Sequence, residues 1–222
     1  MANSFTAKLR ILPASQRQLW GELNEVPPDF VLYGGTAIAL HLGHRNSVDF
    51  DFFTRQPFDP DELLTELRIL NGCHVLQKQK NTLTVIVDRG GPVNISFLGV
   101  PRLGQISEPL LTDDNQLKVA SLIDLAATKA GVVQKRAEAK DYIDLDAMII
   151  HAQISLSQAL AAAAAIYGPQ YNPELTLKSL CYYEDGNLPS VPKETRNRLV
   201  NSVNDVDLAN LPIIKAIIPW SG

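Results

Sequence analysis

Phe30-Val31-Leu32-Tyr33-Gly34-Gly35-Thr36-Ala37 and, ten residues later, Val48-Asp49-Phe50-Asp51-Phe52-Phe53 are the two stretches on which the reading of this 222-residue chain turns. The first is a short apolar run broken by a glycine pair, after which Ala37, Ile38, Leu40 and Leu42 are good helix material up to Gly43. It reads as strand, glycine turn, helix. The second alternates strictly, so a strand there carries Asp49 and Asp51 on one face and Val48, Phe50 and Phe52 on the other. Glycines let a backbone approach phosphate closely, and the amides and dipole at the start of the following helix attract its oxygens. Thr36 adds a hydroxyl donor at the same place. Two carboxylates two residues apart on one strand face can share magnesium or manganese ions, which neutralise charge on a transferring phosphorus. Alone, a glycine pair is explained by a plain turn and Asp-Phe-Asp by a wet strand face. Together, in this order and spacing, they point to phosphoryl or nucleotidyl transfer.

Outward from this centre, Ser15 and Gln18 have capping-box spacing and start a helix expected over about 15–25, stopped by Pro27-Pro28. Asp59-Pro60-Asp61-Glu62 reads as an N-cap, a first-position proline and first-turn acids, leading a helix to about Leu70. Three β-rich runs follow, His74–Gln79, Thr82–Asp88 and Val93–Leu98, with Arg89-Gly90-Gly91-Pro92 as a hairpin turn between the last two. The sheet is therefore expected to be mixed. From Leu117 helix formers dominate: Ser121 and Asp124 start a helix expected to run to about Arg136, and others cover Lys140–His151 and Ser155–Ile166. Prolines 169, 173, 189 and 192 punctuate the rest, before an apolar Leu211–Trp220 terminus. The fold class is α/β (α+β): a mixed-sheet domain with flanking helices over 1–110, then a helical domain over 111–222.

Twenty basic and 24 acidic residues give a formal charge of −4 and a pI near 5.6, so any nucleic-acid contact must be local. Cys73 and Cys181 form neither a metal pattern nor a disulfide framework and fit a reducing compartment. The first twenty residues interrupt their apolar positions with Lys8, Arg10, Pro13 and Arg17, unlike a signal peptide. No apolar run approaches the ~20 residues of a membrane span. The expectation is a soluble, cytoplasmic chain with no membrane contact.

Tyr33-Gly34-Gly35 followed by Asp49-Phe50-Asp51-Phe52-Phe53 resembles the nucleotidyltransferase signature of the DNA polymerase β superfamily. More narrowly, several further residues resemble the AbiEii-type abortive-infection toxin family. They are Arg45 and Ser47, Ala120-Ser121-Leu122, Asp124-Leu125, Lys129, and Arg136 with Lys140-Asp141 and Asp144-Leu145. The likeness spans about 28–150. It implies transfer of a nucleotide from a nucleoside triphosphate to an acceptor, an RNA (in studied branches the 3′ end of tRNA) or a protein, and neutralisation by a separately encoded antitoxin. It also implies that Gly34, Gly35 and Thr36 bind phosphate, that Asp49 and Asp51 bind magnesium or manganese, and that Lys129 and Asp141 complete the catalytic set. On an unbroken helix Lys129, Arg136 and Lys140 would share one face, a cationic stripe suited to phosphate. A solvated face is the plain alternative, and Lys135 and Asp124 read better as surface charge and cap. Arg45 and Ser47 suit either phosphate or an ordinary loop, and His41 and His44 read as helix-end polar residues.

One departure stands out. Superfamily enzymes usually bring a third carboxylate from a neighbouring strand, here Val93–Leu98, whose polar face offers only Asn94 and Ser96. Asp88 could substitute if the hairpin register set it beside Asp51, or Asp141 could reach in. Without rescue, the chain would be a catalytically degenerate fold serving as a nucleotide- or protein-binding module. An aspartate-nucleophile phosphatase is set aside, because the position two after the second aspartate is Phe53 and its hydroxyl residue, Thr54, comes one later.

Overall fold

The computed structural model describes residues 3–114 and 117–221, in two compact units. The first comprises the chain up to Pro101 with Pro109–Ala120, and the second comprises Arg102–Glu108 with the chain from Ser121 onward. The single expected boundary at 110 is thus replaced by three crossings. Two short strands beyond that boundary return to the sheet, and strands this short are invisible to a periodicity argument.

The first unit is built on eight strands, β1 (Ser4–Phe5), β2 (Val31–Tyr33), β3 (Asp49–Thr54), β4 (His74–Gln79), β5 (Thr82–Asp88), β6 (Pro92–Gly99), β7 (Leu110–Thr112) and β8 (Lys118–Val119). Their order is β1-β7-β8-β2-β3-β6-β5-β4. β3 sits at the centre, antiparallel to β2 and parallel to β6, so the sheet is mixed as expected. Alternation decides which face is buried. Phe50 and Phe52 of β3, Leu83 and Val85 of β5, and Ile95 and Phe97 of β6 all point into the core and are fully buried. Phe52 stacks on Phe97 at 5.4 Å, and Phe30 meets Phe97 edge-on at 5.2 Å. The opposite faces of the same strands carry the polar side chains, Asp49 and Asp51 among them, alongside Phe53 and Ile86.

Three helices join this sheet: α1 (Ala14–Trp20), α2 (Gly34–Leu42) and α3 (Pro60–Glu66). The Ser15 capping box does not form. Pro13, with φ −57° and no amide to satisfy, occupies the N-cap, so Ser15 already lies inside α1, which ends at Trp20. A separate 3₁₀ turn at Leu23–Glu25 takes the rest of the expected helix. α3 starts as its sequence predicts, with the Asp59 carboxylate accepting from the Asp61 amide at 2.9 Å.

The second unit holds α4 (Leu122–Val132), α5 (Ala139–His151), α6 (Leu156–Tyr167), α7 (Pro173–Leu180) and α8 (Lys193–Asn204). Small residues let α4 and α6 approach closely: Ala126, Ala127 and Ala130 are buried with Ala159, Ala162 and Ala163. A side chain on Gly131 would come within 2.6 Å of the Tyr167 ring. Ser121 caps α4, and Ser155 with Gln158 forms a complete capping box on α6. α4 stops at Val132 instead of running to Arg136, and α5 begins only at Ala139. Lys129, Arg136 and Lys140 therefore do not share one unbroken helix face. The apolar C-terminal stretch is extended, bridged at Ile218 to Gln105. Among the described residues no single helix is long and apolar enough to cross a membrane.

Candidate active site

Gly34 opens α2 with φ +73°, a left-handed conformation that side-chain-bearing residues rarely adopt. The antiparallel register of β2 and β3 sets Tyr33 opposite Asp51, which brings the glycine bend directly against the second aspartate. A Cβ built on Gly34 would lie 2.5 Å from Asp51 Oδ2. Only glycine fits there. At the same point the N-cap of α2 is Tyr33, which makes no side-chain capping bond; its ring instead stacks on Phe53 at 4.7 Å. A helix start without a side-chain cap, next to a carboxylate pair, has the chemistry to receive an anion beside a cation.

Thr36, for which the resemblance implies phosphate binding, and Ser47, left open between phosphate and loop, meet each other beside Asp49. Both are buried, with Thr36 Oγ1 2.8 Å from Ser47 Oγ and in a short hydrogen bond to the Asp49 carbonyl. They tie the first turn of α2 to the backbone of the first aspartate. Arg45, partly exposed, donates from Nη1 to the Asn46 carbonyl at 2.9 Å.

Asp49 and Asp51 are half-buried on the polar face of β3. The parallel register of β6 sets Asn94 opposite Asp49 and Ser96 opposite Asp51, where a third carboxylate would otherwise stand. Asn94 Nδ2 donates to Asp49 Oδ1 at 3.0 Å, and Ser96 Oγ lies 3.5 Å from Thr84 Oγ1 on the next strand. Asp88 does not take the missing role. It pairs with Pro92, whereas Ser96 pairs with Thr84, so Asp88 is displaced by four residues, roughly 13 Å along the strand. Its carboxylate accepts from the Gly91 amide and shapes the hairpin turn. Among the described residues no group of three His, Cys, Asp or Glu side chains is placed to hold a metal ion. Two adjacent carboxylates beside a helix start would still suit a magnesium or manganese ion, since magnesium is commonly bound through one or two carboxylates plus substrate phosphates.

In the helical unit the structure brings Lys129, Arg136 and Asp141 together and adds Asp144. The Lys129 ammonium, 6% exposed, lies 2.5 Å from Asp141 Oδ1 and 2.7 Å from Asp144 Oδ2. Arg136 clamps Asp141 with two bonds, of 2.7 and 3.0 Å. Burial raises the Asp141 carboxyl, but the Arg136 hydrogen bonds and the Lys129 charge outweigh it and hold the group below the usual carboxylate range. Lys129 is thus a buried brace between two carboxylates, while Arg136 remains nearly half exposed. The resemblance marks Asp144 but gives it no role; its signal is the three-residue step from Asp141 on α5, which puts both acids on one face. Lys140 stands in solvent, 3.0 Å from Glu138. Asp124 does more than flank its cap: it accepts from the amides of Ile106 at 2.6 Å and Ser107 at 3.1 Å and from the Ser121 hydroxyl at 2.5 Å. Burial pushes its carboxyl up against these bonds. His41, stacked on Phe5 at 4.0 Å, donates from Nε2 to the Ala120 carbonyl at 3.0 Å, and burial lowers its pKa to about 4.

A mixed sheet whose central strand carries two aspartates against a glycine-opened helix defines a nucleotidyltransferase fold, and solved structures share it. MenT4, a nucleotidyltransferase toxin from Mycobacterium tuberculosis H37Rv, superposes with a TM-score of 0.57 at 17% identity, over 87% of this chain and 83% of that one. A protein of H. pylori described as a candidate nucleotidyltransferase gives 0.53 at 18%, over 85% and 90%. The family follows from sequence: the model of the nucleotidyl transferase AbiEii toxin of type IV toxin–antitoxin systems matches residues 18–210, and the chain belongs to that family. An uncharacterised protein of Aquifex aeolicus (strain VF5) is 31% identical over 159 residues, 71% of this chain and 75% of the relative.

Proposed function

We propose that this member of a nucleotidyltransferase toxin family is an active, metal-dependent enzyme that moves a nucleotide from a nucleoside triphosphate to the 3′ end of a tRNA-like RNA, and that a separately encoded antitoxin neutralises it. The observation that carries the reading is the 2.5 Å approach of Asp51 Oδ2 to the Gly34 Cβ position, which sets the glycine bend and the acid pair in one place. Asp49 and Asp51 would hold the magnesium or manganese ion, whose chemistry is to neutralise triphosphate charge and align it for attack. The α2 amides from Gly34 and Gly35 onward receive phosphate oxygens, and Thr36 and Ser47 keep that turn in register with Asp49. In the transfer, the acceptor hydroxyl gives up its proton to solvent as its oxygen bonds to the α-phosphorus, the bond from that phosphorus to the bridging oxygen of the β-phosphate breaks, and pyrophosphate leaves with that oxygen and its charge. Arg136, braced by Asp141, and Lys140 are half-exposed cations of the helical unit suited to phosphate, while Lys129 acts by holding Asp141 and Asp144.

The neutral pair Asn94 and Ser96 favours a second reading, a degenerate fold that binds nucleotide without transferring it. The test is incubation with each α-labelled triphosphate, magnesium or manganese, and total cellular RNA and protein, beside Asp51→Ala. Label moved to RNA by the wild type alone supports the proposal, and label moved to protein reassigns the acceptor. Metal-dependent binding without transfer selects the degenerate fold, and no binding at all overturns both.

A further inference from the structure

The polar face of β3 and β6 is poor in acids, which limits what it can hold. Asp49 and Asp51 are the two acids of these strands on that face, and the residues opposite them on β6 are an amide and a hydroxyl. The Asn94 amide is oriented: its Nδ2 points at Asp49 Oδ1 at 3.0 Å, so an N–H hydrogen takes a lone-pair position on that oxygen and fixes the carboxylate's rotation. A cation approaching from the β6 side would meet the positive end of that amide. On the far side of Ser96 stands Thr84, another neutral hydroxyl, and Asp88 is roughly four residues too far along its strand to add charge.

We propose that Asn94 is a positioning residue for Asp49 that restricts the pair to a single divalent ion, taken up only as a complex with a nucleoside triphosphate. The inference rests on the nucleotidyltransferase reading above and adds the stoichiometry and order of loading. Two protein carboxylates leave most of magnesium's or manganese's six positions to water, and metal binding by so few charged ligands is weak until phosphate oxygens join. An acid at position 94 would supply the missing charge on the same register position.

The test reads manganese held by the protein, as the excess on the protein side in equilibrium dialysis, with and without an α,β-methylene triphosphate that cannot be turned over. The full chain is compared with Asn94→Asp, Asn94→Ala and Asp51→Ala. The wild type should take up one ion per chain with nucleotide and at least tenfold more weakly without it. Asn94→Asp should bind the ion without nucleotide at least tenfold more tightly than wild type, and two ions with it. Asn94→Ala, at an exposed position where folding is not at stake, should keep one ion with nucleotide but bind it several-fold more weakly. Tight uptake by the wild type without nucleotide, two ions with nucleotide, or an Asn94→Ala variant equal to wild type would overturn the inference and leave the enzyme reading standing. Absence of uptake in every arm, with uptake no different in Asp51→Ala, would overturn the enzyme reading itself.

Discussion

Replacing Gly34 with alanine perturbs two things that can be separated. The first is backbone strain: φ +73° is left-handed, and a Cβ there costs about 1–2 kcal/mol. The second is a collision, because the new methyl would sit 2.5 Å from Asp51 Oδ2. Carbon and oxygen need more than 3 Å, so the carboxylate or the turn must shift by roughly 0.5–1 Å, a displacement that can cost on the order of a hundredfold in rate when it falls on a reacting group. Gly72→Ala separates the effects, since Gly72 has φ +71° and nothing within 4 Å of its Cβ position. Both variants should lose about 1–2 kcal/mol, a fall of roughly 2–8 °C in Tm for a chain of this size. Only Gly34→Ala should lose label transfer to RNA, by about a hundredfold, when both are assayed well below their melting temperatures. Equal activities in the two variants, or a Gly34→Ala rate within threefold of wild type, would show that the bend does not serve the carboxylate, and the argument from convergence would fail.

Three further outcomes follow from the buried charges. His41 is held neutral, its pKa lowered by burial from an ordinary 6.5 to about 4, so the folded state binds fewer protons than the unfolded one between those values. Stability therefore falls as pH is lowered through that window, by about 2–3 kcal/mol on reaching pH 4.5, and urea midpoints of His41→Gln should lack this component. Asp141 does not confuse the measurement, because its lowered pKa gives stabilisation that is in place above about pH 4 and is lost only on further acidification. Lys129→Met removes the ammonium shared by two fully buried carboxylates and should cost about 3–5 kcal/mol by urea unfolding, whereas Lys140→Ala, at an exposed pair, should stay within about 0.5 kcal/mol. Asp124→Ala releases the Ile106 and Ser107 amides from their acceptor, and limited proteolysis should open a new cut within 102–108, absent in the wild type.

Local chemistry made some elements readable in advance. Asp59-Pro60 announces α3 and Ser121 announces α4, because a cap acts through side-chain and backbone groups only two or three residues apart. The alternation of Phe50 and Phe52 against Asp49 and Asp51 likewise assigned opposite faces before any partner strand was known. The same reasoning missed α1's true start, where a proline two residues earlier outweighed Ser15. It also ran α4 through to Arg136, although the chain breaks after Val132 and returns Arg136 to clamp Asp141.

The order of residues along this chain determined which groups are acids, bends and caps, and which strand side each one occupies, since those depend on spacings of two to four residues. Pairing across strands decided the rest. Whether position 94 or position 88 faces the aspartates is a matter of β-register, and register is settled by how whole hydrophobic faces lock together. That Lys129 is a buried brace and not an open phosphate ligand depends on the packing of α5 against α4, contacts made between residues twelve or more apart whose burial no local pattern encodes.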